Sequence, residues 1–193
     1  MKPKTLLETI RCEDGVAHHL SYHQQRLDST LQKLEYSTAY LLSELISPPD
    51  ERLYRCRFLY DNKGYTIEYL PYTPKPISSL RIVHNNDIDY PLKYADRTEL
   101  NALFEQRGIC NDVVIAKNGN ITDTTIANIA FYINHQWLTP DTPLLEGTTR
   151  SRLVNEGKIF VAPITISDAL NAPRIALLNA MIGFFEMENV IIR

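Results

Sequence analysis

Residues 119–150 read GNITDTTIANIAFYINHQWLTPDTPLLEGTTR, and this stretch decides how the rest of the chain is understood. It opens on a tight turn, Asn118-Gly119-Asn120, which follows the apolar run DVVIA at 112–116. A carboxylate, Asp123, comes next, with Asn128 shortly after it. A β-rich run, IAFYI, leads to Trp137-Leu138-Thr139-Pro140. The stretch closes on Gly147-Thr148-Thr149-Arg150, a loop feeding the first turn of a helix. A carboxylate beside a strand can pair with a cationic ring nitrogen. Free N–H groups and hydroxyls at a helix start can hold a phosphate, because the helix dipole favours an anion there.

Upstream, LLETIR at 6–11 reads as a strand ended by the turn Glu13-Asp14-Gly15. Leu20, Leu27, Leu31 and Leu34 share one face of a predicted helix, with His23 and Arg26 on a neighbouring stripe. A second helical stretch through Tyr40, Leu41 and Leu45 stops at Pro48-Pro49. Residues 52–60 and 65–70 predict a hairpin around Asp61-Asn62-Lys63-Gly64, and 80–83 another strand. The polar segment HNNDIDYPL at 84–92 suits a domain boundary, with Lys93 just past it. Thr98 to Gln106 predicts a helix closed by Gly108. Downstream, a helix at about 149–155 ends before Gly157. Residues 159–166, 174–178 and 190–192 read as strands, and Asn179-Ala180-Met181-Ile182-Gly183 as a loop or short helix.

The bulk properties bound the class. A length of 193 residues allows one large or two small domains. A net charge of −3 leaves no basic footprint for nucleic acid or an anionic membrane surface. Cys12, Cys56 and Cys110 are odd in number and none forms a C-x-x-C pair, which argues against a disulfide framework or a zinc site and for a reducing cytosol. The five histidines show no metal-ligand spacing, so no metal is expected. The N-terminal residues lack the apolar core of a leader peptide, and no apolar run reaches membrane-spanning length, so a cytoplasmic location is expected.

Each candidate residue has a plain alternative. Lys93, flanked by Tyr90-Pro91-Leu92 and Tyr94-Ala95, could be a partly desolvated amine for covalent catalysis, or a surface lysine packed on Tyr94. Asp123 could face a ring nitrogen, or cap its own turn. Asn128 could hold Asp123 or neighbouring backbone, or merely end a strand. Arg26 has the fork that matches a phosphate, and also the look of a solvated helix arginine. Thr148 and Thr149 could donate to a phosphate or cap a helix, with Asn179 and Ala180 adding donors from another loop. Arg97 and Arg150 could take a substrate carboxylate or form surface ion pairs. One ligand that needs both an acid and a phosphate cradle is pyridoxal 5'-phosphate.

In this order the residues resemble the class IV pyridoxal-phosphate enzymes: branched-chain and D-amino-acid aminotransferases and aminodeoxychorismate lyases. Glu8-Thr9-Ile10-Arg11 with Asp14-Gly15 resembles the family's first strand and turn, and His23-x-x-Arg26-Leu27 its H-x-x-R-L helix, whose arginine binds the phosphate. Leu92-Lys93 resembles the lysine that carries the cofactor. Gly119-x-Ile121-Thr122-Asp123 with Asn128-Ile129-Ala130-Phe131 resembles G-x-(V/I)-x-E-x-x-x-x-N-x-F. Thr139-Pro140 and Leu145-x-Gly147-Thr148-Thr149-Arg150 resemble its later segments. Lys93-x-x-Asp96-Arg97 and Asn179-Ala180-Met181 are similar to runs found in the lyases; branched-chain aminotransferases more often have tyrosine where Thr98 stands.

The resemblance implies a mixed α/β, two-domain fold of the D-amino-acid aminotransferase type (fold type IV). It implies a small domain over 1–86, a larger one over 87–193, a cofactor site between them, and a homodimer. It implies pyridoxal phosphate held by Arg26, Lys93, Asp123, Asn128, Thr148, Thr149, Asn179 and Ala180, with Lys93 catalytic and a small amino compound as substrate. The implied reaction is conversion of 4-amino-4-deoxychorismate to 4-aminobenzoate and pyruvate. Transamination of branched-chain or D-amino acids with a 2-oxo acid is the alternative, and a non-catalytic binding module a third. Two departures stand out. The family usually has Glu where this chain has Asp123, and the sequence begins later than its usual start, which implies a reduced small domain with an exposed sheet edge or a wider pocket.

Overall fold

The computed structural model describes residues 5–188 and 190–193. The chain divides into two compact units: residues up to Pro74 together with Leu92–Asp96, and Lys75–Pro91 together with Arg97–Arg193.

The first unit is built on strand β1 (Leu6–Glu13), whose side chains alternate between a buried and a half-buried face. A two-residue turn at Asp14-Gly15, both at positive φ, folds it back onto β2 (Val16–Ala17). Helix α1 (Leu20–Lys33) buries His23, Leu27, Thr30 and Leu31. The helix expected through Tyr40–Leu45 is a single turn, α2 (Leu42–Leu45), started where Gln24 Oε1 accepts the Leu42 N–H at 2.8 Å. The predicted hairpin is present as β3 (Tyr54–Tyr60) and β4 (Tyr65–Pro71). The strands form an antiparallel sheet in the order β2-β1-β3-β4. Leu6, Ile10, Phe58, Leu27 and Leu42 fill its core.

Lys75–Pro91 belongs to the second unit, not the first, because β5 (Ser79–His84) pairs parallel with β6 (Asp112–Lys117). Lys93, expected in the larger domain, lies in the first unit. There the Leu7 N–H donates to the Lys93 carbonyl at 2.9 Å, the Ala95 N–H to the Thr5 carbonyl at 2.9 Å, and Tyr94 bridges Leu6. The division therefore departs from the expected 86/87 seam.

The second unit continues with α3 (Thr98–Phe104), stopped through a short 3-10 turn at Gly108, whose φ is +60°. Strands β6 and β7 (Asn120–Thr124) are joined by Asn118-Gly119, both at positive φ. Strands β8 (Asn128–Ile133) and β9 (Gln136–Pro140) are joined in the same way by Asn134-His135. Then follow α4 (Thr148–Asn155), β10 (Phe160–Ala162), α5 (Ile166–Asn171), β11 (Ile175–Asn179), β12 (Gly183–Glu186) and β13 (Ile191–Ile192). Two sheets result, β13-β5-β6-β7 and β10-β9-β8-β11-β12. Leu80, Val114 and Ile121 of the first pack with Ile129, Phe131 and Leu177 of the second in one core. On the far face Ala130, Ala176 and Leu178 lie with Leu153 of α4. With both faces of β8 and β11 covered, α4 is held firmly against the sheet.

The strand expected over 159–166 is only β10. Pro163 has no N–H to extend a ladder, and Thr165 starts α5 instead: its hydroxyl accepts the Asp168 N–H at 3.1 Å while Asp168 accepts the Thr165 N–H at 2.9 Å.

Candidate functional site

Asp123 stands on β7 with only 5% of its surface exposed. Its Oδ1 accepts the Asn128 side-chain amide at 2.6 Å and its Oδ2 the Leu145 N–H at 3.0 Å. Burial pushes its pKa up to about 7, although Asn128, the Leu145 N–H and the nearby Arg150 charge all work in the opposite direction. A desolvated carboxylate near neutrality is suited to a cationic partner rather than to water. Asp123 is thus buried and bonded to Asn128 and Leu145 rather than capping its own turn.

Asn128 connects that acid to the segment before α4. Its amide nitrogen also donates to the Leu145 carbonyl at 2.8 Å. Two residues on, Gly147 precedes α4 with no side-chain cap and no acid in the first turn. Thr148 and Thr149 open the helix and are buried at 6% and 5% exposure. Arg150 has partners inside the protein: it donates to Glu146 at 2.7 Å and to the Pro140 carbonyl at 2.8 Å.

Two further candidates grip the loop after β7. Arg97 donates to the Thr125 carbonyl at 2.8 Å, and Asn179 to the Ile126 carbonyl at 3.3 Å. The Asn179 oxygen accepts the N–H groups of Met181 (2.9 Å) and Ile182 (3.0 Å), so it shapes the turn that contains Ala180. Below the same loop, Asp112 accepts the Thr125 hydroxyl at 2.7 Å, and burial raises its carboxyl above the usual range.

The remaining two candidates lie in the first unit. Arg26 donates from Nε and Nη2 to the two oxygens of Glu8, at 2.8 and 2.5 Å, and is not a solvated helix arginine. His23 Nδ1 meets Glu8 Oε2 at 2.6 Å. Burial would raise the Glu8 carboxyl, but Arg26 and His23 outweigh it and bring it to about 2. Burial keeps His23 below its ordinary value despite Glu8, and Arg26 and Lys93 add to that effect. Lys93 is half-buried.

The structure thus groups Arg26 with Lys93 in one unit and Asp123, Asn128, Thr148, Thr149, Asn179, Ala180, Arg97 and Arg150 in the other. Glu8 went unnoticed as a site residue. Its signal was present: a charged residue on the face of β1 that also carries Leu6, Ile10 and Cys12. Leu145, acting only through its backbone, left no signal in its side chain. The donor set of the second unit suits a phosphorylated pyridine: one buried acid and one uncapped helix start with two hydroxyls. Among the described residues no three His, Cys, Asp or Glu side chains cluster as metal ligands would.

Residues 59–190 match the family model for class IV amino-transferases. The chain is similar to a crystal structure from Haemophilus somnus 129PT provisionally named a 4-amino-4-deoxychorismate lyase. The identity is 38% and the TM-score 0.86, over 95% of this chain and 99% of that one. It is 39% identical to an uncharacterised protein of Haemophilus influenzae, over 92% of this chain and 98% of the relative. A provisionally named aminodeoxychorismate lyase of Schizosaccharomyces pombe is 29% identical, over 82% of this chain and 77% of the relative. The class these features define is that of the fold type IV enzymes, with the D-amino-acid aminotransferase-like mixed α/β fold. The chain belongs to the class IV amino-transferase family.

Proposed function

We propose that this protein is a pyridoxal-phosphate enzyme that converts 4-amino-4-deoxychorismate to 4-aminobenzoate and pyruvate. The observation that carries the cofactor assignment is Asp123: a buried carboxylate with its pKa pushed to about 7, tied through Asn128 and Leu145 to the start of α4. Bound pyridoxal phosphate supplies an electron sink for the pair left on the substrate. Asp123 would hold a proton at the ring nitrogen and keep it cationic. Thr148 and Thr149, with the N–H groups of the α4 start, would hold the phosphate, and Arg26, Asn179 and Ala180 are the further candidates for it. Lys93 would hold the cofactor through its amine, and that amine would carry the proton at the substrate α-carbon. Arg97 and Arg150 are the candidates for the substrate carboxylate. We assign the protein to the cytoplasm, as a homodimer.

The choice of lyase over transaminase draws on the names of two relatives and on the Lys93-x-x-Asp96-Arg97 and Asn179-Ala180-Met181 runs. Purified protein loaded with cofactor should release 4-aminobenzoate from 4-amino-4-deoxychorismate with no 2-oxo acid present. Turnover that requires a 2-oxo acid acceptor refutes the lyase reading in favour of the transaminase.

A further inference from the structure

Asn128 stands where three segments of the second unit meet. Its Nδ2 donates both to Asp123 Oδ1 (2.6 Å) and to the Leu145 carbonyl (2.8 Å), while the Leu145 N–H donates to Asp123 Oδ2 (3.0 Å). These three bonds close a ring that holds both carboxylate oxygens. The other side of the amide faces Gly147. A Cβ added there would stand 1.9 Å from Asn128 Oδ1 and 3.1 Å from its Cγ. The Gly147 backbone, at φ −74° and ψ 140°, is open to any residue, so space and not conformation demands glycine. Asn128 cannot swing away from an added methyl without giving up its Nδ2 bonds. The amide is thus pinned between the acid and the residue from which α4 starts.

We propose that Asn128 is a positioning residue and Gly147 the gap that admits it. Together they set the direction of the Asp123 carboxylate and its offset from the α4 start, so that acid and helix engage the ring nitrogen and the phosphate of one ligand. Asn128 then acts on the cofactor through Asp123. This rests on the pyridoxal-phosphate reading above. The aspartate has one side-chain torsion fewer than the family's glutamate, so it has less freedom to re-aim its carboxylate once the ring of bonds is disturbed.

The test compares pyridoxal 5'-phosphate with 1-deazapyridoxal 5'-phosphate, which keeps the phosphate and aldehyde but has C–H in place of the ring nitrogen. Equilibrium affinities for both are measured by protein fluorescence, with thermal melts to confirm folding. The unaltered protein prefers the natural cofactor. Asn128→Ala should cut that preference roughly tenfold while leaving the deaza affinity within about twofold. Gly147→Ala should do the same although it removes no polar group, and it carries the test if Asn128→Ala does not fold. In the Asn128→Ala background the second substitution should change the preference little, because the clashing oxygen has gone. The inference is overturned if the variants keep the full preference, lose both ligands equally, or add their effects. An unaltered protein that binds neither ligand, or both alike, refutes the pyridoxal reading itself, and the inference with it.

Discussion

Glu8 and Arg26, far apart in sequence, meet in a two-point ion pair: Nε and Nη2 of the arginine donate to separate oxygens of the glutamate at 2.8 and 2.5 Å. The glutamate side chain is 1% exposed and the arginine 14%. Such a pair adds little net stability when intact, because desolvation offsets attraction, but removing one partner strands the other. Glu8→Gln should cost roughly 3–5 kcal/mol in urea unfolding at neutral pH. The Glu8 carboxyl lies at about 2 against an ordinary 4.5, so its contribution is complete above 4.5 and is lost as pH falls towards 2. Unaltered protein should weaken across that window; the glutamine variant should lose that part of the dependence.

Asp123 acts in the opposite direction. Its carboxyl is raised from 3.8 to about 7, so the folded state keeps a proton that the unfolded chain gives up. The associated stability is complete below 3.8 and is lost as pH rises through 7, by up to about 4 kcal/mol. Asp123→Asn should flatten this slope in ligand-free protein. Unfolding midpoints recorded from pH 4 to pH 8 decide it; an unchanged slope would show that another group titrates there.

Lys93 gives the most direct optical prediction. Protein incubated with pyridoxal phosphate and desalted should retain visible absorbance, and Lys93→Ala should lose it while keeping its circular dichroism. Colour that survives in the alanine variant assigns the covalent bond to another amine.

The start of α5 offers a smaller, local test. Thr165 and Asp168 form a reciprocal cap at 3.1 and 2.9 Å. Thr165→Ala should lower stability by about 1 kcal/mol, with cofactor binding unchanged. A loss several times larger would mean that α5 supports more of the core than its own cap.

How much of this was visible in the residues depended on which faces were covered. β1 was legible from its short run of strand-forming residues and the Glu13-Asp14-Gly15 turn that ends it, although Glu8 on the buried face breaks the apolar alternation. β7 was harder: Ile121, Thr122, Asp123 and Thr124 are all buried, which erases the period of two and leaves an acid that looks like a turn residue. The turns at Asp14-Gly15 and Asn118-Gly119 were recognisable because only a few residue types tolerate positive φ. The segment 159–166 misled because an apolar run that short fits a strand or a buried helix alike, and Pro163 and the Thr165/Asp168 pair were the better guides. Family likeness named Arg26 and Lys93, but nothing in local sequence said that Leu92–Asp96 would return to the first unit. That is a matter of backbone pairing with Thr5 and Leu7, which side-chain patterns do not encode.

The return of Leu92–Asp96 to the first unit also bears on the order of synthesis. Leu92 is part of that unit's core, and Tyr94 borders β1 at Leu6. When Pro74 leaves the ribosome, the first sheet has all its strands but lacks this closing piece, and the chain must next emit β5, whose sheet partners β6 and β13 come later. Emergence of residue 96 from the ribosome is therefore the earliest point at which the Lys93 backbone can pair with Leu7 and the first unit can close.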